Sequence, residues 1–229
     1  QMHGVLARDA PGVPIIDLFH GVPNFDIQAA AYLLPAYVRE FPAGSVFLCV
    51  VDPGVGSERR PIMLEADGRW FVGPDNGIFH ILVRRARSCQ CYAISWRPLR
   101  LSASFHGRDL FAPVAAMLAR GARPEAEPTE PYVPPGTAWP DDLPQVLYVD
   151  HYGNTVTGVR AAELPRDSII EIAGQRIGFA RVFSEAPAGR PFWYENANGL
   201  VEIAVNQGRA DRLLGPCLGV ELKMVRCQA

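Results

Sequence analysis

The sequence predicts an α/β fold in two parts. An N-terminal α/β/α layered domain with a largely parallel sheet precedes a smaller C-terminal all-β barrel or sandwich domain. Three observations predict it. Helix-like and strand-like patterns alternate through the first 121 residues, as in layered α/β folds. Seven prolines then fall at 124, 128, 131, 134, 135, 140 and 144. Proline fixes φ and removes a donor, so this stretch reads as an extended linker, neither helix nor central strand. Beyond it come only short strand patterns separated by Gly or Pro turns. The predicted parts are residues 1–123, a linker 124–144, and 145–229. A chain of 229 residues suits one large or two smaller domains at about 150 residues each.

The elements follow in order. Val13–Leu18 is β-branched and reads as a strand. Asp26–Glu40 reads as a helix, with Asp26 as N-cap and Ile27, Ala30, Ala31 and Leu34 on one face. Ser45–Val51 is a continuous apolar run, the pattern of a strand buried on both faces of a parallel sheet. Pro61–Glu65 and Arg69–Val72 form a hairpin about Asp67-Gly68. Asn76–Arg87 reads as helix, Cys91–Ser95 as strand, and Gly107–Gly121 as a helix closed by Gly121. After the linker, strands are expected at Gln145–Asp150, Thr155–Gly158, Ser168–Ile172, Gln175–Phe179, Phe192–Glu195, Leu200–Val205 and Val220–Val225.

Composition excludes several classes. Charged residues are 20%, hydrophobic residues 48% and the net charge is −2, which gives no electrostatic footprint for nucleic acid or an anionic membrane. No apolar run approaches the ~20 residues of a membrane span. Lys223 is the only lysine, so Walker and Schiff-base lysine chemistry is not expected. Cys49, Cys89, Cys91, Cys217 and Cys227 have no framework or zinc spacing and read as reduced thiols of a cytoplasmic protein.

Polar side chains concentrate in a few loops. VVDPGVGSERR (50–60) ends an apolar strand with Asp52, two glycines and two arginines. Ligands of open α/β sheets bind outside the carboxyl ends of strands, so Asp52 is well placed to meet one. The same run also fits a tight turn with a surface ion pair from Asp52 to Arg59 or Arg60. FVGPDNGIF (71–79) reads as a turn and helix start capped by Asp75 or Asn76. SFHGRDLFAP (104–113) sets His106, Arg108 and Asp109 between two phenylalanines. VDHYGNTVTG (149–158) ends a strand at Asp150, where an Asx-turn competes with a binding role. NANGLVEIAVNQGRA (196–210) has turns on both sides of a strand, and the second could present backbone groups to a flat base. Acids and histidine at loop ends are common metal ligands. Asp52, Asp75, His106 and Asp109 therefore also suit a metal-dependent phosphoesterase.

VVDPGVG, GPDNG, FHGRDxFAP and DxYGN, in that order, resemble the S-adenosylmethionine (SAM) hydroxide adenosyltransferases, or SAM hydrolases, relatives of the fluorinases and chlorinases. The resemblance runs from IIDLFHGVPNFDIQAAAYLL to the last strand. It implies attack of water on the ribose C5′ of SAM, giving adenosine and L-methionine, with Asp52, Arg59 and His106 as catalytic triad. SAM is then the substrate, and no cofactor or metal is implied. Phe25 and Phe105 match apolar positions beside the substrate. Asp150 and Asn154 match positions that bind the methionine end. Phe183 and the turn containing Asn206, Arg209 and Ala210 match the surroundings of adenine. The family forms homotrimers, each site lying between the α/β domain of one subunit and the β domain of its neighbour.

Halogenating relatives lack an acid at the position of Asp52. They have a hydroxyl residue where this chain has Val55, and Ser where it has Gly107. Fluorinases insert a long segment where sixteen residues here separate Gly56 from Gly73. Each point favours water as nucleophile. A non-catalytic SAM or adenosine-binding protein would be expected to lose a triad member. Family members open with a strand reading approximately T-D-F-G, then an acid that binds the ribose hydroxyls. The expectation is a chain short of that strand and acid, because the match starts at Gln1–Gly4.

Overall fold

The computed structural model describes residues 1–133 and 139–226. The chain divides into two compact units, one comprising Gln1–His20 and Asn24–Thr137, the other Gly21–Pro23 and Ala138–Ala229. Pro134 and Pro135 of the proline-rich stretch, and Cys227, lie outside the described residues.

The first unit contains α1 (Met2–Asp9), α2 (Ile27–Tyr37), β1 (Val46–Leu48), β2 (Pro61–Ala66), β3 (Arg69–Pro74), α3 (His80–Arg85), β4 (Cys89–Ile94), a π-helical turn at Gly107–Phe111, α4 (Ala112–Ala119) and β5 (Ala126–Pro128). Its sheet has the order β1-β3-β2-β4-β5. Only β1 and β3 pair in parallel; the other neighbours are antiparallel. The expected largely parallel sheet is thus corrected to a mixed one. Asp67 and Gly68, at φ 48° and 76°, supply the positive angles that a tight hairpin requires and force β2 against β3. β4 then adds to the free edge of β2. β5 carries Pro128 inside the proline-rich stretch and lies at the sheet edge, where a missing donor is tolerated.

Side-chain alternation assigns the layers. Val46, Leu48, Trp70 and Val72 face a core made with Leu110, Phe111, Val114 and Leu118 of the π turn and α4, and with Leu6 of α1. Phe47 and Phe71 point the other way and stack at 4.9 Å, with Phe79 edge-on to Phe71 at the start of α3. α2 is buried from Ala29 through Ala36, as a helix segment apolar on every side must be.

Four sequence expectations change in detail. Val13–Leu18 forms no ladder; Pro14 interrupts its donors, and Ile16 is exposed. β1 is shorter than expected, although hydrogen bonds to β3 extend from Ser45 to Cys49. α3 starts only at His80, because Gly77 sits at φ 102° and Asn76 is in an Asx-type turn. The Gly107–Gly121 helix opens with a π turn, where Pro113 has no N–H to bond the Asp109 carbonyl. It closes in a Schellman arrangement, with Gly121 N–H donating to Leu118 and Ala122 N–H to Met117.

The second unit contains β6 (Leu143–Val149), β7 (Thr155–Arg160), β8 (Ser168–Ile172), β9 (Gln175–Ile177), β10 (Pro191–Glu195), β11 (Leu200–Val205), α5 (Ala210–Leu214) and β12 (Lys223–Arg226). They form two antiparallel sheets, β10-β11-β7-β6 and β12-β8-β9, around a core that includes Trp193, Ile170, Ile177 and Ile203. All seven expected strands are present, and the described strands form no closed barrel.

Candidate active site

In the first unit the chain leaves β1 and reaches Asp52 four residues later. The loop turns through Gly56 at φ 83°, where a Cβ would stand 2.6 Å from the Ala103 carbonyl oxygen. Only glycine meets both demands, and that close approach seats the 50–60 loop beside the segment carrying His106. Gly73 is as tightly placed, with a Cβ position 2.3 Å from the Cys49 carbonyl oxygen. Asn76 Nδ2 donates to the Val51 carbonyl at 2.8 Å, so the GPDNG turn holds the residue just before Asp52.

The three expected catalytic residues meet around one guanidinium. Arg59 donates from Nε to Asp52 Oδ1 at 2.9 Å and from Nη2 to Asp52 Oδ2. The same Nη2 lies 3.0 Å from His106 Nδ1. The Arg59 and Asp52 side chains are only 9% and 5% exposed, so the surface ion pair that the spacing also allowed is not what forms. Phe111 lies under the guanidinium, 5.2 Å from ring centroid to Cζ. His106 sits at the head of the π turn. Arginine only donates, so His106 Nδ1 is the acceptor and the ring proton of the neutral imidazole is on Nε2. Burial holds the His106 pKa below its ordinary value; the Arg59 charge acts in the same direction and Asp52 partly opposes it.

Arg60, the next residue, turns away and donates twice to Asp75, which also accepts from the Tyr132 N–H. Asp109 accepts from Arg108 and from the Ser102 N–H. Asp75 and Asp109 are therefore committed to holding loops and do not gather with Asp52 and His106 around a common point. Among the described residues, the one group of three metal-type side chains is His3, Asp17 and His20, all exposed. Cys89 and Cys91, two residues apart, point to the same face of β4, and burial pushes the Cys49 and Cys91 thiols up to about 12.

Phe105 precedes His106 and carries the Arg108 guanidinium over its ring at 4.9 Å. Phe25 is 76% exposed and held at φ 67°, a backbone angle unusual for an aromatic residue. In the second unit, Asn154 donates from its backbone N–H and its Nδ2 to the two oxygens of Asp150, at 2.8 and 3.0 Å. Arg209 bonds Asp211 and the His151 carbonyl. Ala210 is fully buried. Asn206 donates to the Ala186 carbonyl. Phe183 packs edge-on to Phe192 and Tyr194 with part of its ring exposed.

Tyr194, Asn196 and Glu202 were not singled out by sequence reasoning. Both Tyr194 and Asn196 donate to the Glu202 carboxylate. The available signal was one acid inside the otherwise apolar strand LVEIAV.

Fold and site together define a two-part α/β protein whose buried Asp52–Arg59–His106 cluster hangs from loops beside the sheet, the class of place where α/β enzymes bind ligands. Residues 1–127 match the SAM hydroxide adenosyltransferase N-terminal domain and residues 144–223 the C-terminal domain of the same name. The chain belongs to the SAM hydroxide adenosyltransferase family. It is 39% identical to the (R)-S-adenosyl-L-methionine hydrolase of Thermus thermophilus, covering 96% of this chain and 91% of the relative. It is 41% identical to the enzyme of that name from Salinispora arenicola, covering 97% and 90%. A fluorinase from Nocardia brasiliensis is 24% identical over 72% of this chain and 68% of its own. A solved structure described as an uncharacterized conserved protein from Thermotoga maritima superposes with a TM-score of 0.84 at 28% identity, covering 98% and 94%.

Proposed function

We propose that this chain hydrolyses S-adenosyl-L-methionine to adenosine and L-methionine by attack of water at ribose C5′. The observation that carries the reading is the buried Asp52–Arg59–His106 cluster, supported by the names of the nearly full-length relatives. In the reaction, a C5′–O bond forms while C5′–S breaks, and the electron pair moves to sulfur. The leaving group is a neutral thioether, so no general acid is required. The demand falls on the nucleophile, because water must lose a proton. The neutral His106 tautomer has its Nδ1 occupied and only an Nε2–H to offer, so it orients the water by donating. Asp52, which retains free lone pairs, accepts the proton. Arg59 holds both groups and offsets the charge as hydroxide character develops.

The remaining assignments belong to the same proposal. Asp150 and Asn154 take the amino-acid end, Phe183, Asn206, Arg209 and Ala210 the adenine, and Phe25 and Phe105 the apolar surroundings of the sulfonium. The chain works as a cytoplasmic homotrimer without cofactor, each site combining the α/β part (1–123) of one subunit with the β part (145–229) of another, the 124–144 stretch linking the two. Supporting this is the division of labour: the reacting triad lies wholly in one unit and the Asp150 cluster wholly in the other. No helix of the described residues is long and apolar enough to cross a membrane. The names of the relatives point to the (R) sulfonium epimer as the preferred substrate.

Incubation with each SAM epimer, followed by chromatography, tests the reading. Adenosine and methionine should appear in equal amounts, without halogenated adenosine in chloride or fluoride and without loss of rate in chelator. Absence of both products would sink it. A metal-dependent phosphoesterase would lose its activity in chelator, and the positions of Asp75 and Asp109 give that alternative no support.

A further inference from the structure

One buried carboxyl group of the second unit has no ion-pair partner among the described residues. Glu202 lies on β11, a strand buried at every position, and is itself only 5% exposed. Tyr194 Oη, directly across on β10, donates to Oε1, and Asn196 Nδ2 donates to Oε2 at 2.8 Å. The Asn154 amide, which donates to Asp150 at 3.0 Å, also favours the ionised form of Glu202 and so stands between the two carboxyl groups.

The charge that acts most on Glu202 is that of Asp150, which has the same sign. β7 faces it with Val156. Arg209 acts on Asp150, but its guanidinium is committed to Asp211 and the His151 carbonyl. A buried carboxylate beside a second one is costly unless a proton or a cation compensates it. Burial first, and then Asp150, hold the Glu202 carboxyl above the ordinary carboxylate range; the Tyr194, Asn196 and Asn154 donors oppose them. The bonding therefore describes a site that waits for positive charge.

We propose that Glu202 is a positioning residue for the cationic amino-acid end of the substrate. It carries a proton in the empty site and releases that proton to solvent when an ammonium group settles at the Asp150–Asn154 turn. No bond to substrate forms; the ammonium replaces the proton as compensating charge, and Asn154 and Asn196 transmit the change. This inference rests on the SAM reading, since SAM is the ligand that brings the ammonium.

The test compares wild type and Glu202→Gln for kcat and KM with SAM between about pH 5 and 8. The wild-type KM should rise as pH falls, because a proton competes with the ligand. In Glu202→Gln, which removes the compensating charge but no bond to substrate, the KM should be raised about tenfold at pH 7, the scale of a charge–charge attraction at an effective dielectric of about 20 beyond contact distance. Its KM should no longer depend on pH, and kcat should fall by much less than KM rises. Calorimetry of SAM binding to the Asp52→Asn protein in buffers of different ionisation enthalpy should show proton release that grows as pH falls across that range. The Asp52→Asn/Glu202→Gln double variant should release none.

If Glu202→Gln does not fold, Tyr194→Phe removes one donor from the ionised carboxylate and should raise KM in the same direction. A KM and pH profile unchanged by these variants, or a loss confined to kcat, overturns the inference while leaving the hydrolase reading intact. A wild-type protein that binds SAM with proton release but does not turn it over overturns the hydrolase reading alone. One that binds no SAM overturns both.

Discussion

Replacing Arg59 by lysine keeps the charge and removes the fork. The guanidinium makes three hydrogen bonds, two to Asp52 and one to His106 Nδ1. An ammonium on a flexible stem cannot reproduce that planar arrangement, so at least two are lost. A hydrogen bond to a charged group is worth about 1.5–3 kcal/mol, and each 1.36 kcal/mol in the barrier is tenfold in rate. Two such bonds acting in the transition state predict a kcat lower by about 10²–10⁴-fold. Stability should suffer less, because the buried Asp52 keeps a cation beside it. Arg59→Met strands that carboxylate and should cost about 3–5 kcal/mol. Initial rates of adenosine release, with thermal melts of both variants, separate the two effects. An Arg59→Lys enzyme within about threefold of wild type would refute the reasoning that the fork, rather than the charge, organises the site.

Other expectations follow from the same geometry. The folded protein holds His106 neutral below the ordinary imidazole value of 6.5. The unfolded chain therefore takes up that proton first as pH falls, and the His106 contribution to stability, present above about 6.5, is lost as pH drops toward the lower folded value. His106→Gln should flatten that acid-side loss in thermal melts, and the acid limb of the wild-type kcat profile should lie below 6.5. A limb above 6.5 would contradict the tautomer assignment. Gly56→Ala places a Cβ at 2.6 Å from a carbonyl oxygen at positive φ and should cost at least about 2 kcal/mol, or about 4–8 °C in Tm. An unchanged Tm would mean that the loop adjusts freely. Asp52→Asn should abolish turnover while calorimetry still detects SAM binding; retained turnover would remove Asp52 from the proton-accepting role.

Much of this was legible in the sequence because the signals are local. Asp26 caps α2 through the Ala29 N–H, Asp67-Gly68 makes the hairpin, and Gly121 closes its helix. The strands after the proline-rich stretch all appear where their patterns stand. The errors are non-local. Apolarity in the 45–51 run marks burial but carries no strand direction, which was decided by the hairpin and by the edge that β4 joined. Val13–Leu18 has strand residues without a ladder. Spacing alone could not divide Arg59 and Arg60 between Asp52 and Asp75, because consecutive residues in extended chain point to opposite sides. The family resemblance singled out Asp52, Arg59 and His106, whose shared guanidinium only the fold reveals. Glu202 escaped because a single acid in a strand usually faces solvent, and only the pairing of β10, β11 and β7 shows it enclosed.

The central claim is that an enzyme-held water attacks carbon C5′. Turnover of SAM in ¹⁸O-labelled water, with mass analysis of both products, tests it directly. The account predicts one ¹⁸O in the 5′-hydroxyl of adenosine and none in methionine. Unlabelled adenosine, or label in methionine alone, would contradict it.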